Sequence, residues 1–307
     1  MDRLEAMSLL LEAAEAGSFS KASSGLGLPL ATVSRKVSEL EAHLKATLLT
    51  RSQKGLVPTP AGRSFIDAAK NILELLSEAE RAAAGEYIAP RGDLVVTAPI
   101  MFGRLHVVPE VTNFLVAYPD VAVGLVLTDR LAHFFEDHVD VALRIATLPD
   151  SSLTAIRLGS VRRVTCASPA YIARYGCPTT PDELIDHATI SFESVSAHGA
   201  WTFQSGGVES SAPLRSRFSV NTIDAAIDAA LSGAGLARAM SYQVVEFVRQ
   251  GKLVVVLEAF EPSPSPVHMV YHGRPRLPLK LRAFVDIVAP RLRRRLTEAD
   301  LAYGQGA

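Results

Sequence analysis

The residues best suited to chemistry on a partner lie in "LATVSRKVSELEAHL", where Thr32, Ser34, Arg35 and Lys36 fall within five positions. A guanidinium and short hydroxyls near the start of a helix can hydrogen-bond base edges in a DNA major groove, and an ammonium can neutralise a phosphate. Ser20 and Lys21 stand upstream in the same neighbourhood, and Arg51 and Lys54 stand downstream. Between Ser18 and Phe65 there are seven basic residues against two acidic ones, although the 307-residue chain carries a formal charge of only −1. The whole-chain figure hides a one-sided patch of the kind that phosphates attract.

Such groups need elements to hold them. Leu4, Met7, Leu11 and Ala14 recur at helical spacing and predict a first amphipathic helix ended by Gly17. Ser18 and Ser20 offer caps for a short second helix containing Ala22 and Leu26, which Gly27 and Pro29 break. From about Leu30, the apolar residues Val33, Val37, Leu40 and Leu44 predict a third helix, leaving Thr32, Arg35, Ser38 and Glu39 on the opposite face. "LLTRSQKGLVPTP" then reads as a two-stranded wing turning at Lys54 and Gly55, which brings Arg51 and Lys54 beside a DNA backbone. A helix-turn-helix with a wing is the local expectation, the third helix being the one that enters the groove.

Over roughly the first sixty-five residues the chain resembles the LysR-type transcriptional regulators, through "GSFSKA", "VSRKVSELE", "LLTR" and "TPAG" in that order. Where that family commonly opens its recognition helix with Ser-Gln-Pro or Ser-Gln-Ser, this chain has Pro29, Leu30 and Ala31, so the usual Gln base contact is missing. Leu30 or Thr32 can touch a thymine methyl instead. The resemblance implies transcription regulation on double-stranded DNA at a dyad-related operator, with RNA polymerase as a further candidate partner; a cytoplasmic location is expected because "MDRLEAM" lacks the basic-then-apolar order of a signal peptide.

From Thr59, an expected N-cap, Pro60 and a run of good helix formers predict a long helix to about Ala84. Phe65, Ile72, Leu76, Ala79 and Ala83 recur with a mean period near 3.5, a stripe that wants a partner helix. In the resembling family this segment is the linker helix that pairs two subunits, and such dimers often pair again into tetramers. Phe65, Ile72 and Leu76 are the expected seam. "GEYIAPRGD" follows as a hinge.

Beyond Gly92 the texture is α/β. "LVVTAPI", "VAVGLVLT", "VDVALRI", "RRVTCASP" and "VHMVYHG" read as strands; "LHVVPEVTNFLVAYP", "TPDELIDH" and the middle of "VNTIDAAIDAALSGAGLARA" read as helical. A closing helix in "LPLKLRAFVDIVAPRL" carries Leu277, Leu281, Phe284 and Val288 on one stripe, and Thr297 to Ala307 is expected to fray. The resemblance implies two Rossmann-like lobes joined by two crossovers, similar to a periplasmic binding protein. The expected domains are a winged helix-turn-helix over 1–62, a linker helix and hinge over 63–90, and an effector-binding domain over 91–307. Lobe I covers 91–162 plus 267–296, and lobe II covers 163–266.

A cleft between such lobes binds small molecules where strands end and helices begin. Three segments are expected to line it: the turn from Thr97 through Pro99 and Met101 to Phe102; Thr128 and Asp129; and Asn221 with Thr222, faced by Phe192. Free N–H groups at these helix starts favour a small organic anion, with Arg104 or Arg130 close enough to supply counter-charge. Asn221 or Thr222 serves equally well as a plain N-cap, and Phe102 and Phe192 as core.

Other chemistries find little support. "SFSK" formally matches the Ser-x-x-Lys of penicillin-recognising enzymes, but the companion Ser-Asp-Asn and Lys-Thr-Gly motifs are absent. No Gly-x-Ser-x-Gly elbow, P-loop or His-Glu-x-x-His occurs, so no catalytic residues, no metal and no cofactor are expected. His133 and His138 are five residues apart, which keeps both imidazoles off one helical face. Cys166 and Cys177 are expected to remain free thiols, and no apolar run is long enough to span a membrane. The rival to a regulator is a cytosolic binding protein of the periplasmic type, which leaves the basic N-terminal module unexplained.

Overall fold

In the computed structural model, which describes residues 2–52, 55–83, 89–129, 139–148, 153–192, 200–273 and 277–304, Asp2 opens the first helix. Its Oδ1 accepts from Leu4 N at 3.0 Å and Glu5 N at 3.3 Å, capping α1 (Arg3–Glu15). α2 (Phe19–Leu26) and α3 (Leu30–Leu44) follow, then the hairpin strands β1 (Leu49–Ser52) and β2 (Gly55–Pro58), then α4 (Pro60–Ala83). This is the expected helix-turn-helix with a wing and a long helix. The chain divides into two units, the first built mainly on Met1–Arg91 and the second beginning at Gly92.

The first unit closes around Ala6, Leu9, Leu10, Ala13, Ala22, Val33, Val37, Leu40 and Leu48. The face that α1 buries differs from the expected stripe: Leu4 is 38% exposed, and Met7, Leu11 and Ala14 are only partly covered. Glu5, Ser8, Glu12 and Glu15 make one polar face of α1 and the apolar residues spread over the wide remainder, so two adjacent stripes share the same spacing and their period alone did not choose between them. The α2 start also departs from expectation: Ser18 is the N-cap but its side chain makes no capping bond, and Ser20 lies inside the helix.

The junction of wing and long helix explains "TPAG". Thr59 Oγ1 accepts from Gly62 N at 2.9 Å, capping α4, and donates to the Thr47 carbonyl at 2.7 Å. A Cβ on Gly62 would lie 1.9 Å from the Leu48 carbonyl oxygen, so only glycine lets α4 meet the strand there. Glu41, on α3, accepts from Leu48 N at 2.6 Å and Leu49 N at 3.0 Å, tying the third helix to the wing.

The second unit begins with β3 (Gly92–Ala98), α5 (Ile100–Phe102), a π-helical turn over Gly103–Val107, α6 (Val108–Ala117), β4 (Val121–Leu127), β5 (Val141–Ile145) and β6 (Leu153–Val161). The π turn precedes Pro109, which lacks the N–H that would bond the Leu105 carbonyl and whose ring needs that carbonyl moved aside. Next come β7 (Arg163–Ala167), α7 (Pro169–Tyr175), a 3-10 turn over Pro181–Asp186, β8 (Ala188–Phe192), β9 (Ala200–Ser205), β10 (Val208–Pro213) and β11 (Arg215–Val220). α8 (Ile223–Leu231), β12 (Ala237–Met240), α9 (Ser241–Arg249), β13 (Val254–Val256), a 3-10 turn over Glu258–Phe260, β14 (Ser265–His272) and α10 (Leu279–Gly304) complete the chain.

Two lobes result. In the first, a five-stranded sheet runs β4-β3-β5-β14-β6, with β3 parallel to β4 and β5 and β14 antiparallel to its neighbours. α6 and α10 cover it, with the Phe114 and Phe284 rings meeting edge-on at 5.1 Å. In the second, β7 lies between β12 and β13, β8 pairs parallel with β11, and a Thr189–Leu236 bridge joins β8 to the approach to β12. Arg162, between β6 and β7, donates to Glu261 at 2.8 and 2.9 Å, clasping the outgoing crossover to the returning one. α10 continues through Thr297 to Gly304 instead of fraying. Leu292 and Leu296 are buried, and Arg295 binds the buried Glu110 at 2.5 Å, so the helix stays anchored past the stripe that ends near Val288.

Candidate nucleic-acid interface and effector cleft

α3 buries Val33, Val37 and Leu40 and turns Arg35 outward, 65% exposed. The Arg35 guanidinium pairs with Glu39 one turn on, Nη1 to Oε1 at 2.8 Å, which holds the side chain along the helix while its remaining donors face solvent. Leu30, 47% exposed, and Ala31 stand bare at the start of the helix. Thr32 and Ser34 are half-buried beside them, and Ser34 Oγ donates to the Ala31 carbonyl at 3.4 Å. An apolar, short-chained first turn with an arginine behind it can approach a groove floor closely.

The other expected DNA-binding residues divide. Ser20, Lys21 and Arg51 are exposed, on α2 and β1. Lys36 is not a free cation: its Nζ pairs with Glu5 of α1, and its side chain is mostly covered. A pair thirty-one positions apart has no signature in sequence spacing, so the expected phosphate contact is better described as a tie between helices. Lys54 lies outside the described residues. Of the expected seam on α4, Ile72 is 42% exposed and Phe65 and Leu76 are partly exposed, whereas the buried contacts of this helix come from Ile66 and Ala69.

In the second unit, the parallel strands β3 and β4 end beside each other, and Ile100 N at the start of α5 donates to Asp129 Oδ1 at 3.1 Å. The chain's own carboxylate thus already sits on one of the N–H groups expected to receive an anion. Thr97 is 1% exposed, and its Oγ1 meets no partner among the described residues. Met101 and Phe102 are buried, Phe102 stacking 5.0 Å from His106 and edge-on to Tyr242 at 5.5 Å. Pro99 is half-buried at the turn and Thr128 continues the ladder, its N–H donating to the Ala98 carbonyl at 2.9 Å.

Across from this turn, β8 and β11 end together at Phe192 and Val220. Phe192 is half-buried, Asn221 is exposed, and Thr222 is the N-cap of α8, accepting from Ala225 N at 3.4 Å. Asp224, in the first turn of α8, reaches the other lobe: Arg104 Nη2 lies 2.8 Å from its Oδ1. Burial pushes the Tyr242 phenol above its usual range against the opposing hydrogen bond from Gln243, and the Asp129 and Asp224 charges push it the same way as burial. His106, held dry between the aromatic rings, is lowered to about 4 by burial first and by the Arg295 charge second, so it stays neutral. Asp224 and Tyr242 escaped sequence reasoning; an acidic residue in the first turn after a threonine N-cap, where the helix dipole favours it, was the available signal for Asp224. Arg130, His133 and His138 lie outside the described residues, among which no His, Cys, Asp or Glu cluster fit for a metal occurs and Cys166 and Cys177 are free.

Residues 4–63 match the family model of the bacterial regulatory helix-turn-helix protein, lysR family, and residues 89–293 match that of the LysR substrate binding domain. The chain is 33% identical over 290 residues to an HTH-type transcriptional repressor of Pseudomonas aeruginosa, spanning 94% of this chain and 92% of the relative. It is 29% identical to the transcriptional activator TtdR of Escherichia coli, spanning 97% and 96%. Among solved structures it is similar to the full-length virulence activator AphB of Vibrio cholerae, with a TM-score of 0.60 and 27% identity over 94% of this chain and 98% of that one. It is likewise similar to CrgA of Neisseria meningitidis, with a TM-score of 0.60 and 28% identity over the same shares.

Proposed function

The chain belongs to the LysR family of bacterial transcriptional regulators, and on that premise we propose that α3 reads a dyad-related operator while a small organic anion in the inter-lobe cleft controls the outcome. It is a DNA-binding regulator with an effector-binding domain. The finer reading is that residues 1–62 bind DNA, 63–90 pair the subunits and 91–307 take the effector, in a cytoplasmic homodimer or a tetramer of two dimers. RNA polymerase is a partner within the same reading.

The observation that carries the operator reading is the outward Arg35 on a helix whose opposite face is fully committed to the core. One helix per half-site needs a two-fold partner, and the exposed Ile72 on α4 offers the seam. Protection mapping upstream of the chain's own gene and its neighbours tests it: a footprint with two half-sites about one helical turn apart supports a dimer. A monomer that protects the full site contradicts it.

For the effector, Arg104 is the cation that an organic anion would meet, and Asp224 is the carboxylate it would displace. Because that ion pair joins the two lobes, its exchange for a ligand contact would alter how they are held. Asp129 and Asp224 together favour an effector that carries an ammonium besides its carboxylate. Titrating carboxylates with and without an amine, with melting temperature as readout, separates the two. Stabilisation by neutral compounds alone contradicts both.

A further inference from the structure

Away from the cleft, two arginines share one face of the lobe II sheet with no carboxylate within ion-pair distance among the described residues. Arg238 on β12 stands opposite Thr165 on β7, and Arg163 lies two residues from Thr165 along the same strand. Residues two apart share a face, so Arg163 and Arg238 are diagonal neighbours, about 7 Å apart at Cβ. The Arg238 guanidinium lies 4.7 Å from the Phe203 ring centroid and 5.8 Å from that of Trp201, with Nη2 donating to the Thr202 carbonyl. Its Nε is buried and meets no acceptor.

The nearest acid is already committed. Both oxygens of Glu261 receive Arg162, at 2.8 and 2.9 Å, and among the described residues no carboxylate lies within salt-bridge distance of Arg163 or Arg238. Arg162, Arg163, Arg238 and Glu261 therefore carry an excess of two positive charges in a partly covered site, with Glu261 acting on Arg238 only from beyond ion-pair distance. Burial lowers both Arg163 and Arg238; for Arg238 the Arg163 charge adds to it and the Glu261 charge offsets part of it. Like charges held together and desolvated destabilise the fold unless an anion offsets them.

We propose that Arg163 and Arg238 form a second ligand site, distinct from the cleft, that takes a phosphate group. Two guanidinium forks at this separation can share one tetrahedral oxyanion, each through charge-assisted hydrogen bonds. Trp201, the chain's single tryptophan, stands over the site and reports on it. The site also adjoins Arg162 and Glu261, the residues that clasp the two crossovers.

The test is a titration of the full chain with inorganic phosphate against chloride at matched ionic strength, following Trp201 emission and melting temperature. Saturable changes in both are expected with phosphate alone. Arg163→Gln should raise the phosphate dissociation constant about tenfold, which corresponds to about 1.4 kcal/mol. Arg163→Lys should fall between, and Arg104→Ala in the cleft should leave it unchanged. Glycerol 3-phosphate in a parallel titration separates the sources: tighter binding than inorganic phosphate assigns a phosphorylated metabolite, and equal or weaker binding a free ion. Equal responses to phosphate and chloride, or an Arg163→Gln variant that titrates like the wild type, overturn the site.

Discussion

Arg35 and Lys36 are adjacent cations with opposite employment. Arg35 is exposed and pre-aligned by Glu39, so Arg35→Ala should cost about 1 to 3 kcal/mol on the cognate operator and flatten discrimination among sites. Lys36 is tied to Glu5, so Lys36→Ala should leave the salt dependence of binding nearly unchanged, whereas Arg51→Ala should reduce the slope of log K against log salt by about 0.9. Fluorescence anisotropy across a salt series checks both. His106 yields a separate prediction. Its folded pKa of about 4 lies below the ordinary value of 6.5, so the unfolded chain binds the extra proton first. Stability is therefore whole above pH 6.5 and falls as pH drops towards 4, by on the order of 3 kcal/mol. Urea melts across that range should show this slope, and His106→Phe should flatten it. Sequence made Arg35 visible because helical periodicity places it opposite Val33 and Val37. It could not show Lys36 reaching Glu5, or Arg104 reaching Asp224, because those contacts depend on how separate elements dock.

At the scale of elements, Gly62 and Ile72 mark the two ends of what α4 does. Gly62→Ala would drive a Cβ into the Leu48 carbonyl and should destabilise the first unit by about 1 to 3 kcal/mol, read by thermal melting. Ile72→Glu and Leu76→Glu should instead leave melting of the domain nearly intact while lowering the mass seen by light scattering, and operator binding should fall with it. The first four helices, the wing and the caps at Thr59 and Thr222 were readable because each has a local cause: a cap residue, a glycine, an apolar repeat; α7 and α9 were not read, and the helix expected in "TPDELIDH" is a 3-10 turn. The buried face of α1 was not, since Leu9, Leu10 and Leu11 are consecutive and the apolar arc of the helix is wide enough to hold two stripes of the same spacing. The π turn over Gly103–Val107 leaves no periodicity of its own, and α10 is held past its apolar stripe by Arg295 pairing with Glu110, more than 180 positions away.

Across the whole molecule, the division of labour was legible from the composition shift near Gly92 and from the family motifs, but the cleft was legible only as a set of strand ends. Its chemistry proves to be shared: Asp129 and Asp224 already occupy donors that an anion would use. Relatives include a repressor of Pseudomonas aeruginosa and an activator of Escherichia coli, so the same architecture accompanies either sign of control. The measurement that bears most directly on the central claim is quantitative operator binding by wild type and Arg35→Ala on the footprinted site and on random DNA at one fixed salt concentration. The account predicts a wild-type preference for the operator of at least about 10³-fold, with most of that preference lost in Arg35→Ala while its affinity for random DNA changes little. A variant that retains both the affinity and the preference of the wild type would contradict the assignment of α3 as the reading helix.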